Sequence, residues 1–149
     1  MAEKGYEVLN RALAELHPEQ GTVFEVIERL LSIAFAYAEK HTDFCLIYLD
    51  LSTEGLSHLS ERLTENVETS YVHVYKELLE RAKAKGEVRP DLDVPLAAFF
   101  LDNVVVMLQF SLASSYYQSR IKLYLGDDYA LDRERIIAGL LQLLKRSFC

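Results

Sequence analysis

The chain has 149 residues, 50% hydrophobic and 26% charged, with a formal net charge of −7 at pH 7. That length implies one domain over residues 1–149, with a core large enough to need no covalent staple. The acidic balance argues against nucleic-acid binding by this segment and against docking on an anionic membrane, because both need a basic face.

Helical periodicity runs along the chain and no strand–turn–strand pattern breaks it, so the expected fold class is all-α, a bundle of about six helices. The N-terminal MAEKGYEVLNRALAEL lacks the continuous apolar core of a signal peptide and reads as a helix ending at His17-Pro18. A second helix opens at Thr22, where Thr22-Val23-Phe24-Glu25 has the form of a capping box. The run Phe44–Leu51 is apolar nearly all round and reads as a short third helix capped by Thr42 or Asp43 and closed at Glu54-Gly55. A fourth helix is expected from Ser57 to Lys85, with Leu59, Leu63, Val67, Val74, Leu78 and Ala82 inward. Lys83, Lys85 and Gly86 supply its ending: cations at the C-terminal dipole and glycine just beyond.

The fifth helix takes Asp93 as N-cap, with Pro95 in the first turn, and is expected to run unbroken to Leu125. Gly126-Asp127-Asp128 ends it. The sixth starts at Asp132 and reaches Ser147, with Leu131 and Ile136 placed for a hydrophobic staple.

The fifth helix has no polar face. Its three stripes are Leu96-Phe100-Asn103-Met107-Phe110, Ala97-Leu101-Val104-Leu108-Ser111-Ser115 and Ala98-Asp102-Val105-Gln109-Leu112. A surface helix of a monomer carries one apolar stripe. Either a larger monomeric core encloses this helix or a second chain covers it, and the sixth helix is similarly broad. The expectation is a homodimer through the last two long helices, with Leu101, Val104, Leu108, Ser115, Ile137, Leu140, Leu141, Leu144 and Phe148 at the interface. Asp102, Asn103 and Gln109 interrupt the greasiest stretch and mark it as buried in protein rather than in a bilayer.

The segment ERAKAKGEVRPDLDVPLAAFFLDNVVV resembles the regulatory domain of the TetR (tetracycline repressor) family. There a charged helix ends in glycine and an extended loop leads into a long dimerising helix; here those parts are Arg81–Gly86, Glu87–Asp93 and Val94 onward. The upstream AYAEKHTDFCLIYLDLSTEGLSHLSERL resembles the family's middle helices. The resemblance implies a ligand-sensing, dimerising half of a transcriptional repressor. Nothing in residues 1–20 resembles the family's basic helix-turn-helix head, so DNA binding is implied only for a longer parent.

Enzymatic readings find little support. None of the four histidines follows a glutamate by three residues as in di-iron bundles, and no HExxH, GxSxG, phosphate loop or zinc spacing occurs. His73 and Glu77 read as a solvated i, i+4 pair, and Cys45 as a small buried hydrophobe. Neither an enzyme nor a cofactor or metal is expected. Aromatic density is the remaining signal: each ring singly reads as core packing, but the TetR resemblance implies a pocket, and with it Phe35, Tyr48, Tyr71, Tyr75, Phe100, Asn103, Met107 and Phe110 are expected to line a cavity for a hydrophobic or aromatic small molecule. Asp102 is expected at solvent or an interchain hydrogen bond. A naturally headless dimerisation or adaptor protein is the alternative, and a small helical enzyme a more distant one. Cys45 and Cys149 form neither a disulfide framework nor a CxxC pair, so a reducing cytoplasm is the expected compartment.

Overall fold

The computed structural model describes residue 7, residues 10–56, residue 58 and residues 69–149, and the described part is all-helical, with no strand. After helical residues 10–14, the elements are α1 (Val23–Lys40), α2 (Thr42–Leu51), a 3-10 turn (Glu54–Leu56), α3 (Thr69–Ala84), α4 (Val94–Ala113), α5 (Ser115–Leu125), α6 (Asp127–Ala130) and α7 (Arg133–Phe148). The expected inward positions Leu59, Leu63 and Val67 lie outside the described residues.

Local chemistry sets most helix ends. Thr22 accepts from the Glu25 amide at 3.3 Å, Asp93 from the Leu96 amide at 3.2 Å and Asp132 from the Arg135 amide at 3.2 Å, so each caps the helix it precedes. The third expected cap is corrected: His41 stands at the N-cap of α2 and makes no side-chain cap bond. Thr42 instead donates back to the Ala38 carbonyl, and His41 stacks on Phe44. The expected staple is corrected too, because Leu131 is 78% exposed while Ile136 is buried.

The loop between α3 and α4 fastens three helix ends. Gly86 has φ 72, which only glycine adopts without strain. The turn lets the Glu87 amide donate to the Ala82 carbonyl at 2.9 Å and the Gly86 amide to Lys83, a Schellman ending. The Glu87 carboxylate then accepts from the Val23 amide at 2.9 Å, capping α1 from 64 positions away. Two residues on, the Arg89 amide donates to the Phe148 carbonyl and ties down the end of α7. Val88 and Leu92 of the same loop are buried. Arg29 plays a similar part before α1, donating to the carbonyls of Leu16, His17 and Gln20.

α4 is central: α1, α2 and α3 pack against it, and α7 packs on α1. The core joins Val26, Ile27, Leu30 and Leu31 of α1 with Leu78 and Leu79 of α3, Leu101, Val105 and Leu108 of α4, and Ile136, Ile137 and Leu144 of α7. The expected continuous helix to Leu125 is corrected at Ser114, whose extended backbone (φ −90, ψ 131) separates α4 from α5. Serine suits such a break because its hydroxyl weakens its preference for helix interiors. The freed Leu112 carbonyl is taken by the Gln118 side chain at 2.6 Å.

Among the described residues, one helix, α4, is long and apolar enough to cross a bilayer by length and composition. In the fold it is ringed on three sides by other helices, which accounts for much of that apolarity.

Candidate functional site

A cavity of about 360 Å³ lies between α1, α2, α3 and α4. Each helix gives one face. α1 contributes Leu30, Ile33, Ala34 and Tyr37, an i, i+3, i+4, i+7 series that puts all four on one side. α2 contributes Phe44, Cys45 and Tyr48; α3 contributes Tyr71, Val72, Tyr75 and Lys76. α4 contributes Ala98, Asp102, Val105 and Gln109 at the same helical spacing, flanked by Pro95, Phe99, Val106 and Phe110. Ala12 and Leu13 also line it. Val72, Lys76, Pro95 and Phe99 are exposed and form the rim, whereas Tyr75 is fully buried.

The expected lining therefore divides. Tyr48, Tyr71, Tyr75 and Phe110 do face the cavity, with Phe110 tilted against Tyr48 at 5.9 Å and Tyr71 against Tyr75 at 6.1 Å. Phe35, Phe100, Asn103 and Met107 do not, and the expectation for them is corrected. Phe35 is buried on the other side of α1, under the Arg133 guanidinium. Phe100 and Met107 are exposed, Phe100 meeting the edge of Phe148, and the Asn103 amide donates back to the Phe99 carbonyl. The stripe that faces the cavity is the one holding Asp102, so Asp102, expected at solvent or a partner, belongs to the lining.

The expected interface positions also shift. Leu101, Leu108, Ile137, Leu144 and Phe148 are enclosed within the chain's own core, because α1 fills the groove that a partner was expected to fill. Val104, Leu140 and Leu141 are half-buried against that core, and Ser115 is exposed at the start of α5. The apolar surface left uncovered on α4 is Leu96, Phe99, Phe100 and Met107, with Leu143 of α7 also exposed.

Electrostatically the cavity lining is neutral apart from two side chains. Burial first, then the neighbouring Tyr75, Tyr37, Asp102 and Tyr48, holds the Tyr71 hydroxyl well above the ordinary phenol range. Burial, followed by Asp102 and Tyr48, does the same for Tyr75. Tyr37 is pushed up to about 12 by burial, Cys45 and Asp43. The Cys45 thiol is pushed up to about 11 by burial and then by Asp43, which makes it a poor nucleophile at neutral pH. Asp102 and Lys76 are the charged residues among the described lining.

The described residues hold no group of three or more His, Cys, Asp or Glu side chains arranged for a metal. His73 and Glu77 are exposed on α3. The geometry supplies a place to hold a molecule: apolar walls, aromatic faces, a few phenol hydroxyls and one carboxylate. In comparison with known proteins, the chain matches no family model, no curated protein and no solved structure.

Proposed function

We infer that the chain is a small-molecule-sensing and dimerising unit, of the kind the TetR-like segment Glu80–Val106 implies, working in the cytoplasm. The observation that carries this reading is the aromatic cavity among α1–α4, large enough for a ligand of one or two rings. Its effector is a hydrophobic or aromatic small molecule. In this reading, operator binding belongs to a head outside these residues.

The homodimer of this reading uses the outer stripe of α4. Leu96, Phe100, Asn103 and Met107 form a charge-free band one turn apart over about 16 Å of helix. Monomeric proteins rarely leave such bands uncovered. A band without charge lets a second copy meet it across a two-fold axis with no like-charge clash. α4 then has the cavity on one face and the partner on the other. A ligand in the cavity would bias the dimer as far as its affinities for two arrangements of α4 differ.

The test of the pocket uses a neutral dye, N-phenyl-1-naphthylamine, whose emission rises in apolar surroundings. The native chain should enhance its fluorescence, and Ala98→Trp, which fills the cavity from α4, should abolish the enhancement while the helical circular dichroism is kept. No enhancement by the native chain, or equal enhancement by a folded Ala98→Trp variant, removes the pocket reading.

A further inference from the structure

Resting on that pocket reading, the geometry points to a lipophilic organic cation as the ligand class: an amine or quaternary ammonium on an aromatic body, its charge against Asp102 and its ring among the tyrosines of α2 and α3. Three features of the lining combine here. The first is the position of Asp102, half-buried, one turn from Ala98 and facing the same space as Val105 and Gln109. It is the sole acidic residue of the described lining. Asp102 already engages neighbouring groups of the fold, and a half-buried carboxylate still attracts a cation entering beside it more strongly than a carboxylate in open water would.

The second feature is the ring set. Tyr37, Phe44, Tyr48, Tyr71, Tyr75 and Phe99 all line the same cavity. Aromatic faces carry negative potential and attract ammonium groups. Tyr37, Tyr71 and Tyr75 remain protonated at neutral pH, so their hydroxyls add hydrogen-bonding capacity without adding anions that would compete with Asp102.

The third feature is where the lining's cation sits. Lys76 is exposed beside Val72 at the rim, where its ammonium can stay in water. An anionic ligand would find its counter-charge at the mouth and a carboxylate inside; a cationic one finds the carboxylate inside. The wall thus discriminates by sign.

The test uses three molecules with one ring system: 1-naphthylmethylammonium, neutral 1-naphthylmethanol and anionic 1-naphthoate. Each displaces the neutral dye from the native chain and from Asp102→Asn. The native chain should rank cation over neutral over anion, with the cation ahead of the alcohol by about tenfold or more, the size of one desolvated charge interaction. In Asp102→Asn that advantage should vanish while the alcohol binds as before, which also certifies that the variant is folded. A native ranking with the alcohol or the carboxylate first overturns the inference without any variant, and so does a cation preference that survives Asp102→Asn. If the dye binds and the cation is not preferred, the ligand class falls and the pocket stands; if neither the dye nor any of the three molecules binds, both fall.

Discussion

α1 and α4 are nearly equal in length, 18 and 20 residues, yet they meet their surroundings differently. α1 buries Val23, Val26, Ile27, Leu30, Leu31, Ala34, Phe35 and Ala38 and turns Glu25, Glu28 and Glu39 away from the core. Its sequence states which side is inside. α4 buries Leu101, Val105 and Leu108 but leaves Leu96, Phe100 and Met107 in solvent, although these residues are no less apolar. A helix with one apolar stripe needs one neighbour layer, and α1 has it. A helix apolar on every side is satisfied by the chain only in part, and its remaining face is free to do something other than hold the fold together.

The sharpest way to break this contrast is truncation on the two sides of α4. Leu101→Ala removes a side chain with 0% exposure and should cost about 2–5 kcal/mol in urea unfolding. Leu96→Ala, at 61% exposure, should change the stability of the folded monomer by no more than about 0.5 kcal/mol. Equal costs at the two positions would mean that the assigned faces are wrong.

A charge on the outer band probes the partner directly. Leu96→Glu combined with Met107→Glu should raise the dimer dissociation constant by about a hundredfold, the effect of losing a central apolar contact pair, and leave a folded monomer. Sedimentation of the native chain as a monomer at high concentration would refute the dimer, as would an undiminished dimer in the double variant.

The smallest effect separates the cavity wall by pH. Tyr37, Tyr71 and Tyr75 all have hydroxyls raised by burial, so the folded state holds their protons more tightly than the unfolded chain does. Their contribution to stability is complete below the ordinary tyrosine value and declines as pH rises past it; for Tyr37 the window runs from 10.0 to about 12. Urea midpoints should fall across that window, and Tyr37→Phe should make the fall shallower. A midpoint indifferent to pH there would show that Tyr37 is not packed as described.

What the sequence determined by itself was whatever local chemistry dictates. Thr22, Asp93 and Asp132 cap helices because a side-chain oxygen two or three residues before an orphan amide can reach it in any fold. Gly86 ends α3 because its positive φ is a property of one residue. The all-helical class followed from the same local periodicity, and four cavity residues, Tyr48, Tyr71, Tyr75 and Phe110, were legible from aromatic density taken together with the TetR resemblance. Only the tertiary structure decided the orientation of α4. With apolar residues on three stripes, its hydrophobic pattern has no unique phase, so rotating the helix by about two residues, roughly 200° at 3.6 residues per turn, costs nothing that sequence periodicity can register. That rotation exchanged the stripe of Phe100 and Met107 with the stripe of Asp102 and Val105. The long-range caps were equally hidden. Glu87 on the Val23 amide and Arg89 on the Phe148 carbonyl join positions far apart in the chain, and such bonds exist only once packing has brought the helix ends together.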